Sequence, residues 1–341
     1  MKVFYSTFHL KHNPPFEILD GGERSQSFEV PERVEKIYSA LVQESWAEIL
    51  EPVDFGMEPI LAVHDKGYVD FLQTAFQLWT AGDQKFEHAA LTPATFPPGG
   101  MRRIPHSVLG KAGYYMMDLS APIGQNTFQA ALQSAFCALS GASSLLEGDK
   151  SAAALCRPPG HHAGKANCGG YCYLNNAAIA AQMLSRTGKV AVLDIDYHAG
   201  NGTQEIFYEC SDVLTISLHA DPSEEYPYYA GYLDEKGRGA GEGFHANFPM
   251  DFGVSDGEYL NNLQDAISLI DNFSPQFLVV SAGMDIFQDD PLGKFKITQV
   301  GIQRIGERIA ELQLPSLIVL EGGYDLHGLG ENFAGFLQKF I

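Results

Sequence analysis

Apolar and polar positions along the chain divide it into short continuous apolar runs and longer stretches of helical period. The apolar runs Ala152–Cys156, Val190–Leu193, Val213–Leu218, Phe277–Ala282 and Leu317–Glu321 each end in turn residues. That is the pattern of strands buried on both faces. Helical spacing fills the gaps at Asn175–Ser185, Asp256–Asn272, Thr298–Leu312 and Glu331–Phe340. Upstream, Lys2–Ser6 reads as a first strand. A helix opens at Pro31-Glu32-Arg33, with Val34, Ile37 and Leu41 on one face, and another follows His64–Tyr68 through Phe71, Leu72, Ala75 and Leu78. Proline and glutamate suit a helix's first turn. Asn126 starts a helix rich in small residues that runs to Leu146.

Alternating strands and helices predict an α/β fold with a mainly parallel sheet flanked by helices. With neither repeats nor a linker, residues 1–341 read as one domain. Between them, from about 81 to 125, periodicity is lost among Pro93, Pro97, Pro98, Gly99, Gly100, Pro105 and Pro122. A stretch so long inside a domain is expected to be a lid, a binding loop or an interface element.

Ligands of open parallel sheets bind beyond the carboxyl ends of the strands, and four strand ends here carry chemistry. They lead into Arg157-Pro-Pro-Gly-His161-His162, Asp194-Ile-Asp196-Tyr-His198, Gly283-Met-Asp285 and Gly322-Gly-Tyr324. In an extended chain Asp194, Asp196 and His198 share a face. Left unpaired beside an apolar strand, such groups cost several kcal/mol each. A divalent cation removes that cost, and an Asp/His set with open positions suits zinc. The alternative is a strand end whose hydrogen-bonded acids cap the next helix.

Composition narrows the partners. The 45% hydrophobic and 19% charged content is that of a soluble globular protein, and no apolar run reaches membrane-spanning length. Five scattered cysteines and no signal-peptide pattern predict reduced thiols in a cytoplasm. Cys168 and Cys172 lack the second pair that a structural zinc site needs. A formal net charge of −20 argues against nucleic acid and favours cationic ligands through long-range attraction.

The segments Arg157-Pro-Pro-Gly-His-His-Ala-Gly, Gly169-Gly-Tyr-Cys-Tyr-Leu-Asn-Asn-Ala-Ala, Asp194-x-Asp-x-His and Glu321-Gly-Gly-Tyr resemble the zinc-dependent deacetylase family, which includes histone deacetylases. Arg103-Ile-Pro, Gly113-Tyr-Tyr and the Pro-rich insertion most resemble bacterial acetylpolyamine amidohydrolases. The resemblance implies the arginase–deacetylase fold and one catalytic zinc on Asp196, His198 and Asp285. It implies that Asp194 orients a catalytic histidine and that Asn201 partners the second one. A structural K+ or Na+ would sit on Asp194, the Ser217 side chain and the backbone of Asp196, His198 and Leu218, with a second near Phe207, Cys210 and Val213. Ala199 departs from the usual histidine, and Arg33 matches an internal arginine.

By the same resemblance, His162 acts as general base with His161 in electrostatic support, and Tyr324 donates to the oxyanion. Gly170 and Tyr171 line a tunnel, whereas Tyr173 reads as core. The expected reaction is hydrolysis of N-acetylated polyamines or diamines to acetate and free amine. Alternatives are lysine deacetylation on proteins, an arginase-like two-metal hydrolase, and a non-catalytic binder. Asp289 and Asp290 lack the Asp-rich partner that a two-metal site demands. The resemblance also implies a homodimer through the 81–125 loop, narrowing the mouth so that Asp118 meets a distal ammonium. Leu109 and Ser120 stand where further acids are expected.

Overall fold

The computed structural model describes residues 1–18, 22–81, 90–99 and 103–341. Parts of the 81–125 insertion, residues 82–89 and 100–102, therefore lie outside the described residues. The sheet has eight strands: β1 (Lys2–Phe4), β4 (Glu48–Leu50), β5 (Ser151–Ala154), β6 (Val190–Asp194), β7 (Val213–Ala220), β8 (His245–Met250), β9 (Phe277–Ala282) and β10 (Ser316–Leu320). Their order is β4-β1-β5-β10-β9-β6-β7-β8, and every neighbouring pair is parallel. A small antiparallel pair, β2 (Glu17–Ile18) with β3 (Arg24–Ser25), stands apart.

Both faces are buried, which is why the strands read as continuous apolar runs. Ala152, Ala154, Val190, Val192, Val279, Leu317 and Val319 face one core, with helices α3 (Lys66–Thr80), α5 (Thr127–Leu146) and α6 (Asn176–Leu184). Ala153, Ala191, Leu193, Leu278, Val280, Ile318 and Leu320 face the other, with α1 (Glu32–Leu41), α8 (Asp256–Phe273), α9 (Gln299–Ala310) and α10 (Leu329–Leu337). The small residues of α5 let it lie close to the sheet: a side chain at Gly141 would collide with Leu317. Ser255 and Glu258 close a capping box at the start of α8.

Three elements depart from the sequence pattern. Edge strands β4 and β8 are too short or too polar to stand out, with His245, Asn247 and Pro249 interrupting β8. The insertion is not without regular structure: it contains α4 (Val108–Tyr115), and Leu91 bridges to Ile123. Helix α4 buries only Ala112, Gly113 and Tyr115, too few to display a period. The short helices α2 (Glu58–Leu61) and α7 (Asn201–Phe207) complete the α-helices of the described residues. Among the described residues, no helix is long and apolar enough to cross a membrane.

Four of the five cysteines are buried and all five are free thiols. Several histidines away from the strand ends are held neutral. His64 Nδ1 lies 2.9 Å from the Gly164 carbonyl, and its Nε2 accepts the Asn175 N–H at 3.0 Å, so a second proton would break a hydrogen bond. Burial lowers its pKa from 6.5 to about 4. Between those values the unfolded chain binds more protons than the folded one, so this imidazole's contribution is present above pH 6.5 and lost as pH falls toward 4. The slope is at most about 1.4 kcal/mol per pH unit for one proton. His64→Gln is expected to flatten the fall of stability across that window, read from urea denaturation at several pH values. Identical slopes in variant and wild type would exclude the linkage.

Candidate active site

Strands β5, β10, β9 and β6 are consecutive in the sheet, so the four polar strand endings converge on one point. Asp194 closes β6, and the chain turns beyond it to present Asp196 and His198; Asp285 follows β9. One ligand atom each from Asp196, His198 and Asp285 lies within 4.8 Å of the others. His198 Nδ1 stands 3.3 Å from Asp196 Oδ1 and 3.2 Å from Asp285 Oδ2. Both carboxylates are fully buried. Burial and the Asp196 charge push Asp285 up to about 7. Two buried carboxylates cannot both hold full charge so close together unless a cation joins them. Oxygen, oxygen and imidazole nitrogen form a donor set that fits a divalent ion with positions left open. Backbone crowds this set: a side chain at Gly322 would collide with Asp285 and Asp196, and the Gly322 N–H donates to Asp196 Oδ2 at 2.8 Å.

The histidine pair enters from the loop after β5. His161 Nδ1 meets Asp194 Oδ2 at 3.0 Å, while Asp194 Oδ1 accepts the Asp196 N–H. Burial disfavours charge on His161, but Asp196 and Asp194 together raise its pKa well above the usual value. His162 differs. Its Nδ1 lies 2.7 Å from Asn201 Oδ1, and the Asn201 amide nitrogen faces Met117 Sδ at 3.8 Å. In that orientation the amide oxygen requires a proton on Nδ1, leaving Nε2 as a basic lone pair. Burial and the neighbouring His161 and His198 hold His162 well below its ordinary pKa. The two rings thus differ in the form their surroundings favour, His161 charged and His162 neutral with a free lone pair on Nε2.

Tyr324 reaches the site from the turn after β10, and burial keeps its phenol protonated far above neutral pH. Two residues named in the sequence, Asp290 as a metal-ligand candidate without a partner and Arg33 as an internal arginine, turn out to support this turn. Asp290 Oδ2 accepts the N–H groups of Tyr324 and Asp325, and its Oδ1 accepts those of Leu292 and Gly293. Arg33 is fully buried, donates to the Gly323 and Glu321 carbonyls at 2.5 and 2.6 Å, and lies 4.6 Å over the Tyr324 ring. Glu29 neutralises it at 2.9 Å and also meets Arg157. The i,i+4 spacing of Glu29 and Arg33 was the available signal. Glu321 Oε2 accepts the Gly160 and His161 N–H groups, joining the β5 and β10 loops.

His162, His198, Asn201, Tyr324, Gly170, Tyr171 and Asp118 all line one cavity of about 620 Å³. Gly170 has a φ of +51°, and a side chain there would collide with His162. Tyr171 follows at φ 65°, a strained value for a tyrosine, and its ring lies 5.7 Å from that of Tyr324. Tyr226, which sequence reasoning missed, stands edge-on to His162 at 4.9 Å. Asp118 is held in the wall: Oδ2 accepts from the Gly170 N–H and the Tyr226 hydroxyl, and Oδ1 from the Ser120 N–H and hydroxyl. Leu109 is half exposed on α4.

The residues expected around a monovalent ion also gather. Asp194 pairs in register with Ser217, beside the buried Leu218. Ser217 Oγ lies 2.7 Å from Nδ1 of His219, a histidine not singled out beforehand. Phe207 and Cys210 close a turn ahead of Val213. Ala199 is buried. Among the described residues a further metal-sized group, His161, Cys172 and Glu321, lies alongside. Burial keeps the Cys172 thiol protonated, and no second carboxylate pair is present in that group.

Residues 27–340 match the model of the histone deacetylase domain. The chain is 44% identical to acetylpolyamine amidohydrolase 1 of Pseudomonas aeruginosa, covering 100% of this chain and 99% of that protein. It is 42% identical to acetylpolyamine amidohydrolase of Mycoplana ramosa, covering 99% of each. The crystal structure of acetylpolyamine aminohydrolase from Burkholderia pseudomallei superposes with a TM-score of 0.95 at 40% identity, covering 100% of this chain and 98% of that one. Sheet order, converging strand ends and these likenesses agree: the chain belongs to the histone deacetylase domain family.

Proposed function

We propose that the protein is a zinc-dependent amidohydrolase that removes acetyl groups from N-acetylated diamines and polyamines, releasing acetate and free amine. One observation carries this reading: His198 from the Asp196/His198/Asp285 set, a histidine with a basic Nε2 and a neutral phenol open into the same cavity. The names of the full-length relatives support the acetylpolyamine part.

Asp196, His198 and Asp285 would hold zinc, which would supply Lewis acidity toward water and a carbonyl. His162 Nε2 takes the proton of the attacking water and then delivers it to the leaving amine. Asn201 holds the tautomer that makes this possible, and His161, paired with Asp194, adds positive charge behind it. The Tyr324 hydroxyl donates to the oxygen on which negative charge develops. Asp194, Ser217 and the neighbouring backbone would hold K+ or Na+ as a structural ion. Aromatic walls at Tyr171 and Tyr226 suit a slender alkyl chain, which an acetylated amine and an acetyl-lysine side chain share. The names of the full-length relatives set acetylpolyamines ahead of lysine deacetylation on proteins. The test is a panel of acetylated diamines, polyamines and acetyl-lysine peptides with metal analysis. It is expected to give the highest kcat/KM on the amines, one zinc per subunit, and loss of metal and activity together in Asp285→Ala. Equal turnover of a long structured acetyl-lysine peptide would overturn the substrate assignment, and two stoichiometric metals the mononuclear one.

Tyr324→Phe is expected to keep zinc and lower kcat by about 10²- to 10³-fold, the usual loss for one oxyanion donor. Near wild-type kcat would remove the hydroxyl from the mechanism.

We also propose a homodimer through the 81–125 insertion. Phe96, Ile104 and Leu109 are exposed apolar side chains on its described part, and ordering so long a segment is favoured by packing on a second subunit. Sedimentation at micromolar concentration should give a dimer that Leu109→Glu weakens; a wild-type monomer would refute it.

A further inference from the structure

The cavity carries an ammonium of its own. Lys294 and Glu225 both line it, and Lys294 Nζ meets Glu225 Oε2 at 2.7 Å. The pair is asymmetric, with 52% of the lysine side chain exposed but only 11% of the glutamate. Glu225 is fixed from behind: Oε2 also accepts the Tyr197 hydroxyl at 3.0 Å and Oε1 the Tyr226 N–H at 3.2 Å. In the same pose Lys294 Nζ also lies 4.3 Å over the Phe252 ring, itself partly exposed.

The other acid in the wall is differently placed. An ionised carboxylate offers about four lone-pair sites, and those of Asp118 are taken by Ser120 twice, Gly170 and Tyr226. Asp118 therefore builds the wall and adds negative potential, but has no acceptor position to spare for a ligand. Glu225 has one open site at Oε1, and a second is opened whenever Lys294 swings away.

Building on the proposed amine substrate, we infer that Glu225 is the acceptor for the substrate's distal ammonium and that Lys294 is a displaceable internal competitor. Before substrate binds, Lys294 keeps a nearly buried carboxylate from standing unpaired, so Glu225 is already ordered and desolvated. Binding then exchanges one ammonium for another at the same carboxylate, and the departing lysine, already half exposed, passes to solvent. A neutral acetamide leaves the pair closed and gains nothing from it. Discrimination by charge is thereby set by a difference between two ammonium ions, which makes it modest and tunable at position 294.

The experiment compares a monoacetylated diamine with a neutral N-alkylacetamide of equal length. KM is measured in the otherwise wild-type enzyme, and Kd by calorimetry in the Tyr324→Phe background, where turnover is suppressed. Lys294→Met is expected to lower both values for the diamine by about 3- to 10-fold, the scale of a partly exposed ion pair. The neutral compound should change by less than about 2-fold, the scatter of a surface substitution. Glu225→Gln, which keeps an acceptor for Tyr197, should raise the diamine values by about 10-fold and leave the neutral ones alone. In the double variant the gain from Lys294→Met should vanish. Equal shifts for both ligands, or weaker diamine binding in Lys294→Met, would overturn the inference. Absence of turnover with every acetylated amine sinks the proposed reaction, whereas binding without the charge-dependent split sinks this assignment alone.

Discussion

Repulsion between two buried carboxylates is the constraint from which the rest of the site follows. Asp196 and Asp285 are fully buried at the ends of neighbouring parts of the sheet, and each faces the same imidazole nitrogen. A fold tolerates that only by spending donors on it. Gly322, Tyr197 and His198 give backbone N–H groups to these two carboxylates, and Asp194 is engaged by the Asp196 N–H and by His161. What these donors leave uncompensated is an open, negatively charged, desolvated position, which is what a divalent cation requires. The acids gathered there would weaken a domain without a cation.

Much of this was legible because two periodicities coincide. A strand buried on both faces gives an uninterrupted apolar run, and the point where the run stops marks its carboxyl end, where ligands bind. Val190–Leu193 followed by Asp194, Asp196 and His198 therefore announced both a strand and a site. What the run could not disclose is order in the sheet. Only the structure makes β5, β10, β9 and β6 consecutive, and so turns four separate endings into one cavity. The residues that stayed hidden act through the backbone or through partners remote in sequence. Asp290 reads from the sequence only as a second-metal acid lacking a partner, yet it binds four N–H groups and fixes the turn bearing Tyr324. Glu29 serves Arg33 and Arg157, the latter 128 positions away, and no local pattern connects that pair.

The edge strands were missed for a related reason. Interior strands must be apolar because helices cover both faces; edge strands are released from that requirement. β4 is half exposed, and β8 carries His245 and Asn247, whose side chains bond Thr215 and Gln204 instead of filling a core. Helix α4 evaded the pattern because it is pinned by close approach: Gly113 packs on the Thr95 carbonyl, leaving no space for a side chain. Tight backbone contact replaces apolar side chains there, and periodicity records only the latter.

That contact ties the insertion to the chemistry. From α4 the chain passes to Met116, which bridges to Cys168, and Met117 takes up the Cys168 carbonyl. One residue later Asp118 accepts the Gly170 N–H and the Tyr226 hydroxyl, and both of those residues crowd His162. The segment that exposes apolar side chains at the surface is thus, within a few residues, the segment that sets the wall beside His162. A displacement of this part of the insertion passes to that wall, and anything filling the cavity pushes back along the same path. The surface loop and the cavity wall are in this way one mechanical connection, carried by Asp118 between the insertion and the Gly170–Tyr171 turn.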